Sequence, residues 1–190
     1  MKLAIIGKMG SGKSTCADYL NKNHNFKILS FGGPVKKYAK EIFNDTTKNR
    51  KLIQDFAQKI KEIDQDVWVN YLLRNVKDSE NIVIDDLRFP NEYSALEKAG
   101  FKFIKLNITD TFQIERLKKT YPENYNNHIS RRNDISESYV DSLQAHYFFN
   151  MNKGTESKLN NYLDNIVKNF NINYKSVSYT HLRAQQPRHA

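Results

Sequence analysis

Nine consecutive residues, Gly7-Lys8-Met9-Gly10-Ser11-Gly12-Lys13-Ser14-Thr15, constrain the fold of this 190-residue chain more than any other feature. They fit the spacing Gly-x-x-x-x-Gly-Lys-Ser/Thr, with the apolar run Leu3-Ala4-Ile5-Ile6 before them and a helical pattern after them. Glycines at 7, 10 and 12 let the backbone turn its N–H groups inward around phosphate oxygens, and the helix that follows adds its positive N-terminal end. Lys13 then reaches the β- and γ-phosphates of a nucleoside triphosphate and Ser14 ligates Mg²⁺, with Ser11 and Thr15 completing the cradle. A strand, this loop and a helix in that order require an α/β fold in which ligands bind beyond the carboxyl ends of the strands.

The remaining pattern agrees with that requirement. Short β-branched runs at Lys2–Ile6, Lys27–Phe31, Asn81–Asp85, Lys102–Ile108 and His146–Phe149 alternate with amphipathic segments, which predicts a five-stranded parallel sheet between two layers of helices. Gly100 closes the helical pattern of Asn91–Ala99 as a residue just past a helix end. Residues 34–79 contain no strand and are expected to hold two or three helices as an acceptor-binding insertion. Residues 110–135, a helical pattern followed by a Tyr- and Asn-rich stretch, are expected to form a lid. Residues 1–175 read as one P-loop domain. The last fifteen, Ser176–Ala190, contain no acid and no periodicity and read as an appended tail.

Composition narrows the class of protein further. The net charge of +9 comes from lysines interspersed with acids, as in Lys36-Lys37-Tyr38-Ala39-Lys40-Glu41, so no nucleic-acid partner is expected. No apolar run approaches the roughly 20 residues that span a bilayer, so no membrane span is expected. A single cysteine, Cys16, excludes an intramolecular disulfide and suits a reducing cytoplasm. His24, His128 and His146 lack zinc-site spacing.

A second acidic site stands where a buried-type strand ends in Asp85-Asp86-Leu87-Arg88. One of the two carboxylates is expected at Mg²⁺ or its waters, or accepting from the substrate, with capping of the next helix by Asn91 or Asp86 as the alternative. The planar guanidinium of Arg88 suits bidentate phosphate binding. In the lid, Arg116 or Arg131 is expected to meet the transferring phosphate, because phosphoryl transfer depends on electrostatic stabilisation more than on an acid–base residue.

Taken in order, these residues resemble the phage-type deoxynucleoside monophosphate kinases within the P-loop nucleoside and nucleotide kinase group. The resemblance runs through the loop itself, Ser30-Phe31-Gly32-Gly33-Pro34-Val35-Lys36, Arg50-Lys51-Leu52-Ile53-Gln54, Asp66-Val67-Trp68-Val69, Asp86-Leu87-Arg88-Phe89-Pro90-Asn91-Glu92, Ser136-Glu137, and Asn150 with Gly154-Thr155. It implies ATP and Mg²⁺ as cofactors, a nucleoside monophosphate as small-molecule substrate, and a cytoplasmic location, that of the host for a phage protein. It implies further that Lys36 and Arg88 hold the acceptor phosphate, that Gln54 and Trp68 line the acceptor-base pocket, and that Asn150 lies by the adenine. Two other readings stay open: a P-loop kinase of another phosphorylated metabolite, of the dephospho-coenzyme A or phosphomevalonate type, and a P-loop switch ATPase. The helical insertion weighs against the switch, because so long a segment is hard to explain as a loop.

Overall fold

A computed structural model describes residues 1–44, 49–130, 132, 134–155 and 157–170, with the side chains of residues 135 and 136 outside that set. The central strand, β1 (Lys2–Gly7), is apolar without alternation, and Leu3, Ala4, Ile5 and Ile6 are all fully buried. Such a run forms only where both faces of a sheet are covered. Parallel pairing places β1 between β3 (Ile82–Ile84) and β4 (Lys102–Ile108), with β2 (Lys27–Leu29) outside β3 and β5 (Tyr147–Met151) outside β4. The order β2-β3-β1-β4-β5 is the expected five-stranded parallel sheet.

Successive side chains of β1 feed opposite cores. Leu3 and Ile5 join Cys16, Ala17 and Leu20 of helix α1 (Lys13–His24) and Leu159, Leu163 and Ile166 of the helix spanning residues 157–170. On the other face, Ala4 and Ile6 pack with Val69 and Leu72 of α4 (Val67–Arg74), Leu96 of α5 (Pro90–Lys98) and Val140 of α8 (Ile135–Ser142). Each fully buried Leu or Ile contributes about 1.5–3 kcal/mol. Burial also pushes the Cys16 thiol up to about 12.

The region after β2 holds α2 (Gly32–Phe43), α3 (Arg50–Ile63) and α4. Helix α2 begins two residues before the expected Pro34, and β2 ends at Leu29 rather than Phe31. Both shifts have one cause: the Asp86 carboxylate accepts from Phe31 N and Gly32 N, each at 2.9 Å, while Ser30 Oγ accepts from Gly33 N at 3.0 Å. The cap comes from another strand and is invisible to local pattern. Gly100 does close α5, at φ +81°, with its N–H bonded to Glu97 O and that of Phe101 to Leu96 O. After β4, α6 (Asp110–Thr120) is followed by a six-residue helix, α7 (Tyr125–Ser130), where only a loop was expected.

Candidate active site

Three strands end at one cleft. Gly7 ends β1 and opens the phosphate loop; α1 starts directly after Gly12, whose φ of +98° belongs to the left-handed region that favours glycine. A Cβ at Gly7 would collide with the fully buried Ser11 Oγ, so close approach requires glycine there too. Gly10, Gly12, Lys13, Ser14 and Thr15 line a cleft of about 720 Å³, within the range of ~300–1,000 Å³ typical of small-molecule sites.

Lys13 Nζ donates to Gly7 O and, at 3.0 Å, to Lys8 O. Its ammonium is held down to about 8, first by burial and then by the Arg88 charge, against the upward pull of Glu137, Asp85 and Asp86. Ser14 Oγ donates to Asp85 Oδ2 at 2.9 Å. A hydroxyl and a carboxylate meeting at the edge of a phosphate cradle form a hard-oxygen donor pair that would suit Mg²⁺. Asp86 is placed differently. Both its oxygens accept backbone N–H groups of α2, and burial outweighs those bonds in raising its pKa. The adjacent carboxylates thus face separate partners, one the loop hydroxyl and the other a helix start.

Arg88 lies in the cleft. Its loop is fixed from below by the buried Glu92 carboxylate, which accepts from Arg88 N at 2.9 Å and Phe89 N at 3.1 Å. Burial raises the Glu92 pKa. Lys36 of α2 and Gln54 of α3 line the same cleft, joined by Arg50 and Ile53. Arg50 and Gln54 are four residues apart and share a helix face. Arg116 of α6 closes the opposite wall: its Nη2 lies 3.6 Å from the position a Cβ would take at Gly12. Arg131 falls outside the described residues.

Trp68 and Asn150, like Gly7, Ser11 and Asp86, are not in the cleft lining. Trp68, expected against a base, is buried between α4 and α3, where its Nε1 donates to Ala57 O at 3.3 Å and its ring meets Phe56 at 6.0 Å. An indole on the inner face of an amphipathic helix gains more from apolar packing than it would at a polar cleft. Asn150 Oδ1 accepts from Asn107 Nδ2 at 3.1 Å across the β4–β5 register, and the turn beyond it is tied by Thr155 Oγ1 to Asn150 O and Asn152 O.

Sequence reasoning assigned no site role to several residues that the fold brings here. Tyr121 and His128 stack at 4.0 Å and both line the cleft. Met9, at the loop tip, is held by three helices: its carbonyl accepts from Gln113 Nε2 of α6 at 2.7 Å, its Sδ lies 3.4 Å from His128 Nδ1 of α7, and its N–H donates to Glu137 Oε2 of α8 at 2.9 Å. The spacing of Arg50 and Gln54 was a usable signal, whereas nothing in the sequence links Met9 to Glu137 across 128 positions.

A parallel β2-β3-β1-β4-β5 sheet, a glycine loop running into α1 and a carboxylate at the end of β3 together define a P-loop nucleoside-triphosphatase fold of the kinase type. The AAA domain family model matches residues 3–140, most of the chain, and the protein belongs to that family. Among solved structures, a shikimate kinase from Acinetobacter baumannii in complex with shikimate aligns over 90% of this chain and 93% of its own, with TM-score 0.54 and 16% identity. A shikimate kinase from Bacteroides thetaiotaomicron aligns over 88% and 98%, with TM-score 0.52 and 17% identity. These likenesses show the fold. A cytidylate kinase from Sulfolobus acidocaldarius is 32% identical over 85 residues, which are 45% of this chain and 44% of that protein. The match spans under half the length of that curated relative.

Proposed function

We propose that the protein is an ATP-dependent kinase of a small phosphorylated metabolite. The observation that carries this reading is one continuous cleft that joins the phosphate loop to three cationic side chains, Lys36, Arg50 and Arg88, on elements outside the loop. A triphosphate needs only the loop end. Cations at the other end, carried by α2, α3 and the β3–α5 connection, suit a second anionic molecule.

In this reading the loop amides and Lys13 hold the β- and γ-phosphates of ATP. Ser14 and Asp85 would hold Mg²⁺, which would supply positive charge against the phosphates of ATP. Arg88 and Lys36 grip the acceptor phosphate and hold the acceptor oxygen in line with the γ-phosphorus. As the new P–O bond forms, the bond between the γ-phosphorus and the β–γ bridging oxygen breaks and ADP leaves. Arg116 stabilises the charge spread over the transferring group, and α6 and α7 keep water out.

A nucleoside monophosphate, in its finer form a deoxynucleoside monophosphate, is favoured by Gln54, which can donate and accept at a base edge one helical turn from Arg50. The partial match to a cytidylate kinase and the ordered motifs shared with the phage-type enzymes support the same acceptor. An acceptor of the dephospho-coenzyme A or phosphomevalonate type uses the same cation cluster.

A coupled ADP-release screen decides among them. The panel comprises all ribo- and deoxynucleoside monophosphates, dephospho-coenzyme A and phosphomevalonate, with shikimate as an unphosphorylated acceptor and a reaction lacking any acceptor. ADP release that rises about tenfold or more with a phosphorylated acceptor is expected. Equal release with and without acceptor would identify an ATPase, and a response to shikimate alone would sink the anionic-acceptor reading.

A further inference from the structure

Glu137 stands out among the buried polar residues because it touches both ends of the cleft. It sits in the first turn of α8 and its side chain is only 3% exposed. Oε2 accepts the Met9 N–H of the phosphate loop at 2.9 Å, and Oε1 lies 3.4 Å from Arg88 Nη1. A carboxylate is seldom buried unless it is paired, and here its two oxygens serve two separate elements. We propose that Glu137 is a positioning residue: it fixes the tip of the phosphate loop and the guanidinium of Arg88 relative to one another, so that α8 sets the spacing between the donor and acceptor phosphates.

Geometry supports this independently of charge. Met9 is already held at its carbonyl by Gln113 and at its sulfur by His128, so the Glu137 bond completes a three-sided clasp that fixes the orientation of the Met9 amide. Arg88 has its backbone N–H on Glu92 and its guanidinium Nη1 on Glu137, and the residue lines the cleft.

The terms donor and acceptor rest on the kinase reading above, so the deciding measurements use protein without nucleotide. In Glu137→Gln the amide oxygen still accepts from Met9 while the negative charge is gone; in Glu137→Ala both are gone. NMR of the folded variants, checked by melting, reads Met9 amide exchange and the Arg88 guanidinium signal. A shifted Arg88 signal is expected in Glu137→Gln, and Met9 exchange faster by about tenfold or more only in Glu137→Ala. With an acceptor in hand, Glu137→Gln raises the acceptor KM about tenfold and leaves ATP affinity within about threefold, and its effect is not additive with Arg88→Lys. An unchanged Arg88 signal in Glu137→Gln overturns the inference, whatever the kinase screen shows; if Glu137→Ala does not fold, Glu137→Gln alone decides. A purely structural glutamate would lower the melting temperature and leave the Arg88 signal in place.

Discussion

The two ends of the cleft are built in opposite ways. At the phosphate-loop end, four residues of β1 and Ser11 are fully buried, and the groups offered to a ligand are main-chain amides whose directions follow from glycine conformations. At the insertion end, α3 buries no residue completely, and the groups offered are the ends of long side chains: Lys36, Arg50, Gln54 and Arg88. A backbone cradle is preorganised and sequence-tolerant in its packing, while a side-chain cluster is adjustable and can change its ligand by substitution. On the kinase reading proposed above, the difference suggests a division: chemistry common to many kinases would belong to the loop, and the choice of acceptor to the insertion.

Lys13→Ala tests the rigid end and should show the largest effect, a loss of phosphoryl transfer of roughly a hundredfold or more with an unchanged melting curve. Near-normal turnover in the purified variant would remove the loop from the chemistry. The same lysine makes ATP binding pH-dependent in a stated direction. Its pKa near 8 lies below the ordinary lysine value, so it is charged below about 8, and ATP affinity in calorimetry should fall as pH rises through that value.

The adjacent carboxylates separate function from folding. Asp85→Asn keeps a partner for Ser14 but lowers affinity for Mg²⁺, and kcat should fall about tenfold to a hundredfold, partly recovered at high Mg²⁺. Asp86→Ala leaves the Phe31 and Gly32 amides at the start of α2 without their acceptor and should cost about 1–3 kcal/mol in denaturant melts. Equal kinetic effects with no stability difference would contradict the division of roles.

At the adjustable end, Arg88→Lys keeps the charge and loses the fork. The acceptor KM should rise about tenfold while ATP affinity, set by the loop, stays within about threefold. Equal weakening of both ligands in titration calorimetry would erase the contrast between the two ends. The smallest kinetic effect belongs to Trp68→Phe: loss of the bond to Ala57 O should lower stability by about 1 kcal/mol and leave the acceptor KM within twofold. A large change in KM would return Trp68 to the acceptor pocket.

The same contrast explains what was legible in the sequence. The five strands, the loop and the closing Gly100 could be read because each depends on local pattern: an apolar run, glycine spacing, a left-handed residue after a helix; the order β2-β3-β1-β4-β5 could not. The Ser14–Asp85 contact was half legible, since a strand-end acid was expected but the choice between Asp85 and Asp86 depends on which carboxylate meets Phe31 and Gly32. The start of α2, the burial of Trp68 and the contacts of Glu137 were hidden for one reason. Each is settled by a partner ten to more than a hundred positions away, and a periodic pattern says which face is apolar but not what covers it.

Cys16 carries a practical consequence. It is the chain's sole thiol, one turn into the helix that leaves the phosphate loop, fully shielded and with its pKa pushed up to about 12. A folded molecule therefore presents no thiolate to an alkylating reagent, and labelling must wait for α1 to lift from the sheet. The protein has a built-in clock for that opening: in the regime where reclosing outpaces modification, the labelling rate reports the free energy of exposure. Any ligand that grips the loop should slow the clock by the factor 1 + [L]/Kd, which turns one buried sulfur into an affinity meter requiring no turnover.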